Sequence, residues 1–200
     1  LIARAKGSFF VRAELGRELM LRAKYERAVN EFEGVVKHAS GDNRVLAPAL
    51  RDLGQAQAKA KQTKEALKTL RKALQISGES AGVRREIYDV IVDVYRTEDK
   101  LRELITLVEK ESSRDFYRAK MLGALYEETG QMPKALKAYR EALGKKSNDI
   151  ETRLKVVQLL QIQGELDEAI KQYAELIRAA PRNPDFVFQL AEALIQRGDR

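Results

Sequence analysis

The sequence predicts an all-α protein built from stacked helical hairpins, and three observations lead to this fold class. Pairs of small residues recur twelve positions apart, and such a fixed offset repeated along a chain is typical of helical hairpin arrays. Helix-forming residues dominate the 200 residues, which include only four prolines. Strand-forming residues are not gathered into alternating runs. The pairs are Gly16/Ala28, Gly54/Ala66, Gly123/Ala135 and Val157/Ala169.

The segment 116–149 shows the hairpin most clearly. Gly123 lies on the first helix, where the lack of a side chain allows the second helix to approach closely. Gly130 suits the left-handed conformation that ends a helix, and Pro133 fits the first turn of the next one. Ala135 is small for the same reason as Gly123. We therefore expect two antiparallel helices that cross at these small residues.

Similar segments follow one another along the chain. We expect a single array over residues 1–200, and its last unit contains only a first helix, so that the chain is expected to be a fragment of a longer protein. The turn positions are expected at Lys61, Asp99, Gly130, Gly164 and Gly198. The units are about 9–42, 47–80, 85–115, 116–149 and 150–183, with a partial unit at 184–200.

These residues resemble those of a tetratricopeptide-repeat (TPR) protein, and a bacterial source is expected. The resemblance implies an all-α solenoid, a right-handed superhelix of antiparallel helix-turn-helix units. The early aromatic residue of each first helix is missing, and the unit 85–115 is irregular. Half-a-TPR and Sel1-like arrays are the nearest structural alternatives. The resemblance rests on Leu122, Gly123, Tyr126, Gly130, Ala135, Tyr139 and Ala142, and on Gly164, Ala169, Tyr173 and Pro181.

By this resemblance, the protein is a non-catalytic scaffold for protein–protein interaction that binds a peptide or partner protein in a concave groove. First helices line the groove in such proteins. Their charges run from basic through acidic to mixed, which would steer a peptide of matching charge. Aromatic residues are the expected anchors, because they dominate interface energetics. The candidate residues, called the groove residues below, are Phe10, Arg17, Arg51, Gln55, Glu86, Asp89, Asp93, Tyr117, Lys120, Glu127, Gln158 and Phe188.

Composition and motifs favour no enzyme, cofactor or metal site. The chain has no cysteine and one histidine, His38, which leaves few side chains for nucleophilic catalysis or metal binding. No Gly-rich phosphate loop, GxSxG elbow or HExxH motif is present. No apolar stretch reaches the roughly 18 residues of a membrane span. The compartment stays open, with the cytoplasm favoured over the periplasm.

Two further functions are kept as alternatives. The first is self-association into a homo-oligomer through the incomplete C-terminal unit. The second is contact with nucleic acid or an anionic membrane through a basic stripe on one second helix. We do not expect nucleic acid, because the stripe has no aromatic residue to stack on bases. The stripe consists of Lys61, Lys64, Lys68, Arg71 and Lys72.

Overall fold

The computed structural model describes residues 2–39, 41–78, 80–110 and 115–198. Within these residues all regular secondary structure is α-helical, so the all-α class is confirmed. The helices are α1 (Ile2–Leu21), α2 (Tyr25–Ala39), α3 (Asn43–Lys59), α4 (Thr63–Ile76), α5 (Ala81–Thr97), α6 (Leu101–Glu109), α7 (Phe116–Glu128), α8 (Met132–Lys145), α9 (Ile150–Ile162), α10 (Leu166–Ala179) and α11 (Asp185–Arg197).

The helices form two compact units. The N-terminal unit, Leu1–Lys100, contains α1 to α5. In it, α1 packs on α2, α2 on α3 and α3 on α4, while α5 packs on both α3 and α4. The C-terminal unit, Leu101–Arg200, contains α6 to α11, and each of these helices packs on the next.

Residues with positive φ end the first helices at the predicted turn positions. The φ angles are 62° at Lys61, 56° at Asp99, 76° at Gly130, 75° at Gly164 and 93° at Gly198. For the two residues with a side chain, this left-handed conformation costs roughly 1–2 kcal/mol. The tight turn compensates by hydrogen bonding: the amide of the next residue donates to a carbonyl of the preceding helix, as from Lys100 to Tyr95 at 2.9 Å.

The first of these turns lies at a position that the sequence did not reveal. Ala23, between α1 and α2, has a φ of 55° and precedes the donation of Lys24 N–H to the Leu19 carbonyl at 2.9 Å. Alanine gives no sequence signal for this conformation, since its side chain usually opposes it.

The paired small residues lie at the crossings of the hairpin helices, as predicted. All four alanines are 0% exposed, namely Ala28, Ala66, Ala135 and Ala169. A Cβ atom added at Gly123 would lie 2.5 Å from Cε1 of Tyr139, and one at Gly54 would lie 2.6 Å from Cγ of Leu70. Only glycine therefore fits these two crossings without a shift of the opposing side chain.

Aspartate side chains cap three first helices. Asp42 accepts a hydrogen bond from Arg44 N–H at 2.9 Å, Asp115 from Arg118 N–H at 2.9 Å, and Asp149 from Thr152 N–H at 3.1 Å. Each bond satisfies an amide that has no partner within its own helix. The second helices α4, α8 and α10 have no side-chain cap and begin directly after the left-handed turns.

A buried arginine joins α7 to the end of α6. Arg118 is 5% exposed, and its Nε and Nη2 donate to the carbonyl oxygen of Val108 at 3.0 and 2.7 Å. Close by, the hydroxyl of Tyr126 donates to Glu109. These bonds satisfy an acceptor in the last turn of α6, where a cation is also favoured by the helix dipole.

Candidate functional site

The groove residues of the N-terminal unit are linked by ion pairs from one first helix to the next. Arg17 of α1 lies 3.6 Å from Asp52 of α3, measured from Nη2 to Oδ2. Arg51 donates to the same carboxylate through Nε at 2.9 Å and also pairs with Glu86 of α5. The side chains of Asp52 and Arg51 are only 12% and 21% exposed. The opposite charges therefore compensate one another across α1, α3 and α5.

Two other groove residues line a cavity of about 400 Å³ between α3, α5 and the start of α4. Gln55 and Asp93 are exposed at its rim. Asp93 accepts from Arg96 at 2.8 Å, and Asp89 lies 3.8 Å from Arg85, so both carboxylates have a cation on their own helix. The cavity is also lined by Ala58, Lys59, Lys61, Thr63, Val90, Val94, Thr97 and Glu98.

In the C-terminal unit, the charged groove residues join α7 to α9. Lys120 donates to Glu151 at 2.6 Å and lies 3.5 Å from Asp149. Glu127 accepts from Lys155 at 3.0 Å and from the hydroxyl of Tyr139 at 2.9 Å. These charges hold neighbouring helices together, and each therefore offers less attraction to a ligand than a free charge would.

Burial and hydrogen bonding shift the pKa of two groups that take part in these contacts, Asp149 and Tyr139. Burial alone would raise the pKa of the Asp149 carboxyl, but hydrogen bonds from Thr152 and the nearby ammonium of Lys120 outweigh it and lower the pKa. Burial, together with the bond to Glu127, raises the pKa of the Tyr139 hydroxyl above its ordinary value. At neutral pH the Asp149 carboxyl is therefore ionised and the Tyr139 hydroxyl is protonated, which are the states that their hydrogen bonds require.

The uncharged groove residues differ in exposure. Phe10 is 65% exposed and Phe188 is 69% exposed. Tyr117 is half-buried, with its ring edge-on to Phe116 at 5.0 Å between centroids, so less of it faces solvent than we expected. Gln158 is exposed on α9.

Comparison with known proteins gives one decisive result. The family model described as tetratricopeptide repeat matches residues 33–182. The chain belongs to the tetratricopeptide-repeat family. No match to the chain was found among the curated proteins.

Solved TPR structures are similar to the chain over most of its length. TTC0263, a thermophilic TPR protein of Thermus thermophilus, is 24% identical with a TM-score of 0.52, over 94% of this chain and 99% of its own. YrrB, a TPR protein with an unusual peptide-binding site, is 22% identical with a TM-score of 0.55, over 84% of each chain. MamA is 16% identical with a TM-score of 0.52, over 88% of this chain and 93% of its own.

These results define the fold and the general class of protein. The fold is an all-α solenoid of TPR units, and the Thermus relative fits the expected bacterial source. The family and the fold support a scaffold for protein–protein interaction, and TPR modules are generally non-catalytic. The absence of catalysis and of a cofactor stays a prediction for this chain.

Several residues that compensate the groove charges were not predicted from the sequence, namely Asp52, Arg85, Asp149, Glu151 and Lys155. A signal was present for the first of them. Arg17 and Asp52 are 35 positions apart, as are Arg51 and Glu86. Opposite charges at about the length of one TPR unit lie on successive first helices, so this spacing could have revealed the pairs.

The basic stripe lies on α4, apart from Lys61, which is in the turn before the helix. We therefore define the α4 stripe as Lys64, Lys68, Arg71 and Lys72. All four side chains are exposed, and within the described residues none of them has an ion pair or a hydrogen bond. This distinguishes the stripe from the groove residues, whose charges are compensated.

Across the described ranges, no group of three or more His, Asp or Glu side chains could hold a metal ion. In that part of the chain no helix combines the length and the apolar character that crossing a bilayer requires. His38 is exposed on α2, with Nδ1 2.6 Å from the carbonyl oxygen of Gly34.

Proposed function

We propose that the chain is an interaction scaffold that binds a peptide or a segment of a partner protein on its groove residues. The observation that carries this proposal is the cavity between α3 and α5 of the N-terminal unit. It combines the apolar side chains of Ala58, Val90 and Val94 with a larger number of polar and charged groups, so a ligand can make both kinds of contact there. The similarity to YrrB, a TPR protein with a peptide-binding site, supports the same reading.

The ion pairs indicate which groove residues contribute most to binding. A carboxylate or guanidinium that already has a partner gains little from a second one, since exposed pairs contribute roughly 0–1 kcal/mol. Affinity should therefore come from apolar contacts in the cavity, chiefly at Val90, and from the exposed ring of Phe10. The charges set the orientation of the ligand more than its affinity.

Crosslinking mass spectrometry of native extract with this chain as bait tests the proposal. We expect crosslinks from a partner to residues around the cavity, such as Lys59 and Lys61. The Val90→Lys variant places a charge in the cavity and should abolish them. Val45→Lys is the matched control, because Val45 is exposed near the start of α3 and lies outside the cavity. Crosslinks that persist in Val90→Lys would argue against this site.

A second candidate function is self-association through α11, and a specific observation favours it. Val187, Ala191 and Ile195 are four positions apart and exposed, so they form one apolar stripe along the helix. Val187 is 54% exposed and Ile195 is 72% exposed. Exposed apolar patches of this kind often mark interaction sites.

Light scattering over a concentration series tests this alternative. Self-association predicts a mass that rises with concentration in the wild-type chain and stays monomeric in the double variant Val187→Lys, Ile195→Lys. A wild-type chain that is monomeric at every concentration would exclude homo-oligomer formation, and it would leave the groove proposal unaffected.

A further inference from the structure

The α4 stripe adjoins an open depression of about 630 Å³ that has an unsatisfied polar group at its edge. Its lining includes Gln57 of α3, which is 7% exposed. The side-chain oxygen of Gln57 is buried and accepts no hydrogen bond within the structure. Buried polar atoms nearly always have a partner, so this exception calls for an explanation.

The repeat shows that packing does not require glutamine at this position. Residue 57 comes three positions after the crossing glycine, and the equivalent places in other first helices hold Leu19, Tyr95, Tyr126 and Leu160. All four of these side chains are buried, and none of them is an amide. A leucine would fit the same environment without leaving a buried oxygen unsatisfied. The amide therefore calls for a role outside the hairpin core.

The four cations of the stripe lie on one face of α4. Residues 64, 68, 71 and 72 follow helical spacing and extend over roughly 12 Å of the helix axis. An extended peptide covers this length with about four residues. Three of the four cations, Lys68, Arg71 and Lys72, also line the depression beside Gln57.

We propose that this surface binds an acidic segment of a partner protein, separately from the groove residues. Carboxylates of the segment complement the uncompensated cations of the α4 stripe. A rotation of the Gln57 side chain toward the depression brings its oxygen to the surface, where backbone N–H groups of the segment supply the donors that it lacks. The depression is also lined by the aliphatic part of Thr69, which suits an apolar side chain of a peptide.

Two observations favour a protein segment over nucleic acid or lipid. A phosphodiester group carries no hydrogen-bond donor for Gln57. The residues that line the depression include no aromatic ring on which a base could stack.

Fluorescence anisotropy with the whole chain tests the proposal. The probe is a labelled twelve-residue peptide of alternating glutamate and alanine. The stripe variant Lys64→Gln, Lys68→Gln, Arg71→Gln, Lys72→Gln should bind it about tenfold more weakly than the wild type at low salt. The control variant replaces four exposed cations of the C-terminal unit that have no ion pair, and it should lose less than about threefold. It is Arg102→Gln, Lys137→Gln, Lys145→Gln, Arg182→Gln.

Gln57→Leu provides a second measurement that does not change the charge. We expect weaker binding of the acidic peptide, by about threefold, together with an unfolding temperature equal to or above that of the wild type. Unchanged affinity in this variant would remove Gln57 from the site and overturn the proposal as stated.

Competing ligands decide between classes of partner. A uridine dodecamer and vesicles of phosphatidylcholine with phosphatidylserine are titrated in parallel. Tighter binding of either one, lost in the stripe variant and kept in the control variant, would overturn the protein segment in favour of that ligand. Equal loss of peptide binding in the stripe and control variants would show that net charge alone is responsible and would also overturn the proposal.

Discussion

In the hairpin α3–α4 the crossing glycine Gly54 faces Leu70, whereas in the hairpin α7–α8 the equivalent Gly123 faces the ring of Tyr139. Leu70 is 0% exposed and Tyr139 is 1% exposed, so both crossings are fully packed. The tyrosine also carries a hydroxyl that donates to Glu127, and the leucine has no such group. Equivalent crossings are thus packed by an aliphatic side chain in one hairpin and, in the other, by an aromatic ring that also makes a hydrogen bond.

The residues around the two crossings also differ, because those of α7 make more polar contacts than those of α3. At equivalent places, α7 has Arg118 and Tyr126, which bond to the end of α6, while α3 has Ala49 and Gln57. Hairpin α7–α8 therefore pairs these polar groups with the preceding helix α6, whereas hairpin α3–α4 leaves the oxygen of Gln57 unsatisfied. Helix packing thus follows the repeat, while the polar side chains at equivalent places differ from one hairpin to the next.

The largest effect is expected from Gly123→Ala. The new Cβ would lie 2.5 Å from the Tyr139 ring, which is buried and held by its hydroxyl, so the ring has little room to shift. We expect a loss of about 2 kcal/mol in the free energy of unfolding, after the helix preference of alanine has offset part of the clash. Urea unfolding followed by circular dichroism measures this loss.

Two matched glycines sharpen this prediction. Gly54→Ala should cost about half as much, because Leu70 has alternative rotamers and no hydroxyl bond to break. Gly144→Ala, in α8, meets no atom within 4 Å and should stabilise by about 0.5–1 kcal/mol. Equal losses at Gly123 and Gly54 would show that the two crossings do not differ in rigidity.

The second effect concerns Arg118 of α7, whose equivalent in α3 is Ala49. Arg118→Met keeps the aliphatic volume and removes both hydrogen bonds to the carbonyl oxygen of Val108. We expect a loss of about 1.5 kcal/mol, the lower range for bonds to a charged donor. Arg118→Lys should recover only part of it, since one ammonium cannot reproduce the two nitrogens of the guanidinium fork. A methionine variant as stable as the wild type would contradict this role.

The packing of the hairpins could be predicted from the sequence because it depends on side-chain size. A small residue at a helix crossing has few substitutes, so the offset of twelve between Gly123 and Ala135 is visible in the sequence alone. The left-handed turns at Gly130 and Gly164 were predictable for the same reason, whereas Ala23 adopts the same conformation without any signal.

The electrostatics of the candidate site could not be predicted in the same way. Long charged side chains can reach several partners on neighbouring helices. Which partner they pair with depends on atomic distances, and the repeat pattern gives no information about these distances. Arg51 illustrates this, because it was expected to face a ligand and instead bonds to Asp52 and Glu86. The lack of partners along the α4 stripe likewise became visible only in the structure.

The third effect removes the polar group that distinguishes the α7–α8 crossing. Tyr139→Phe deletes the donor to Glu127 but leaves that carboxylate paired with Lys155. We expect a loss of about 1 kcal/mol, typical of one internal hydrogen bond. Tyr173→Phe is the control, because its hydroxyl is 3.3 Å from the Gln161 oxygen, a longer and weaker bond. Equal losses in the two variants would contradict a specific contribution from the Tyr139–Glu127 bond.

The smallest effect appears at alkaline pH and separates Tyr126 from Gln57, which cannot ionise. Burial, followed by the hydrogen bond to Glu109, raises the pKa of Tyr126 to about 12, while the charge of Arg118 acts in the opposite direction. Because the unfolded chain loses this proton near pH 10, the stabilisation is complete below pH 10 and is lost as the pH rises through 12. At pH 10, where half of the unfolded tyrosine is ionised, the loss in the free energy of unfolding is about 0.4 kcal/mol.

The Tyr126→Phe variant tests this effect by urea unfolding at pH 8 and pH 10. Because the variant cannot lose the proton, its free energy of unfolding relative to the wild type should rise by this amount between the two pH values, and that of Gln57→Leu should not change. A constant difference between wild type and Tyr126→Phe over that range would show that Tyr126 ionises equally in the folded and unfolded chain.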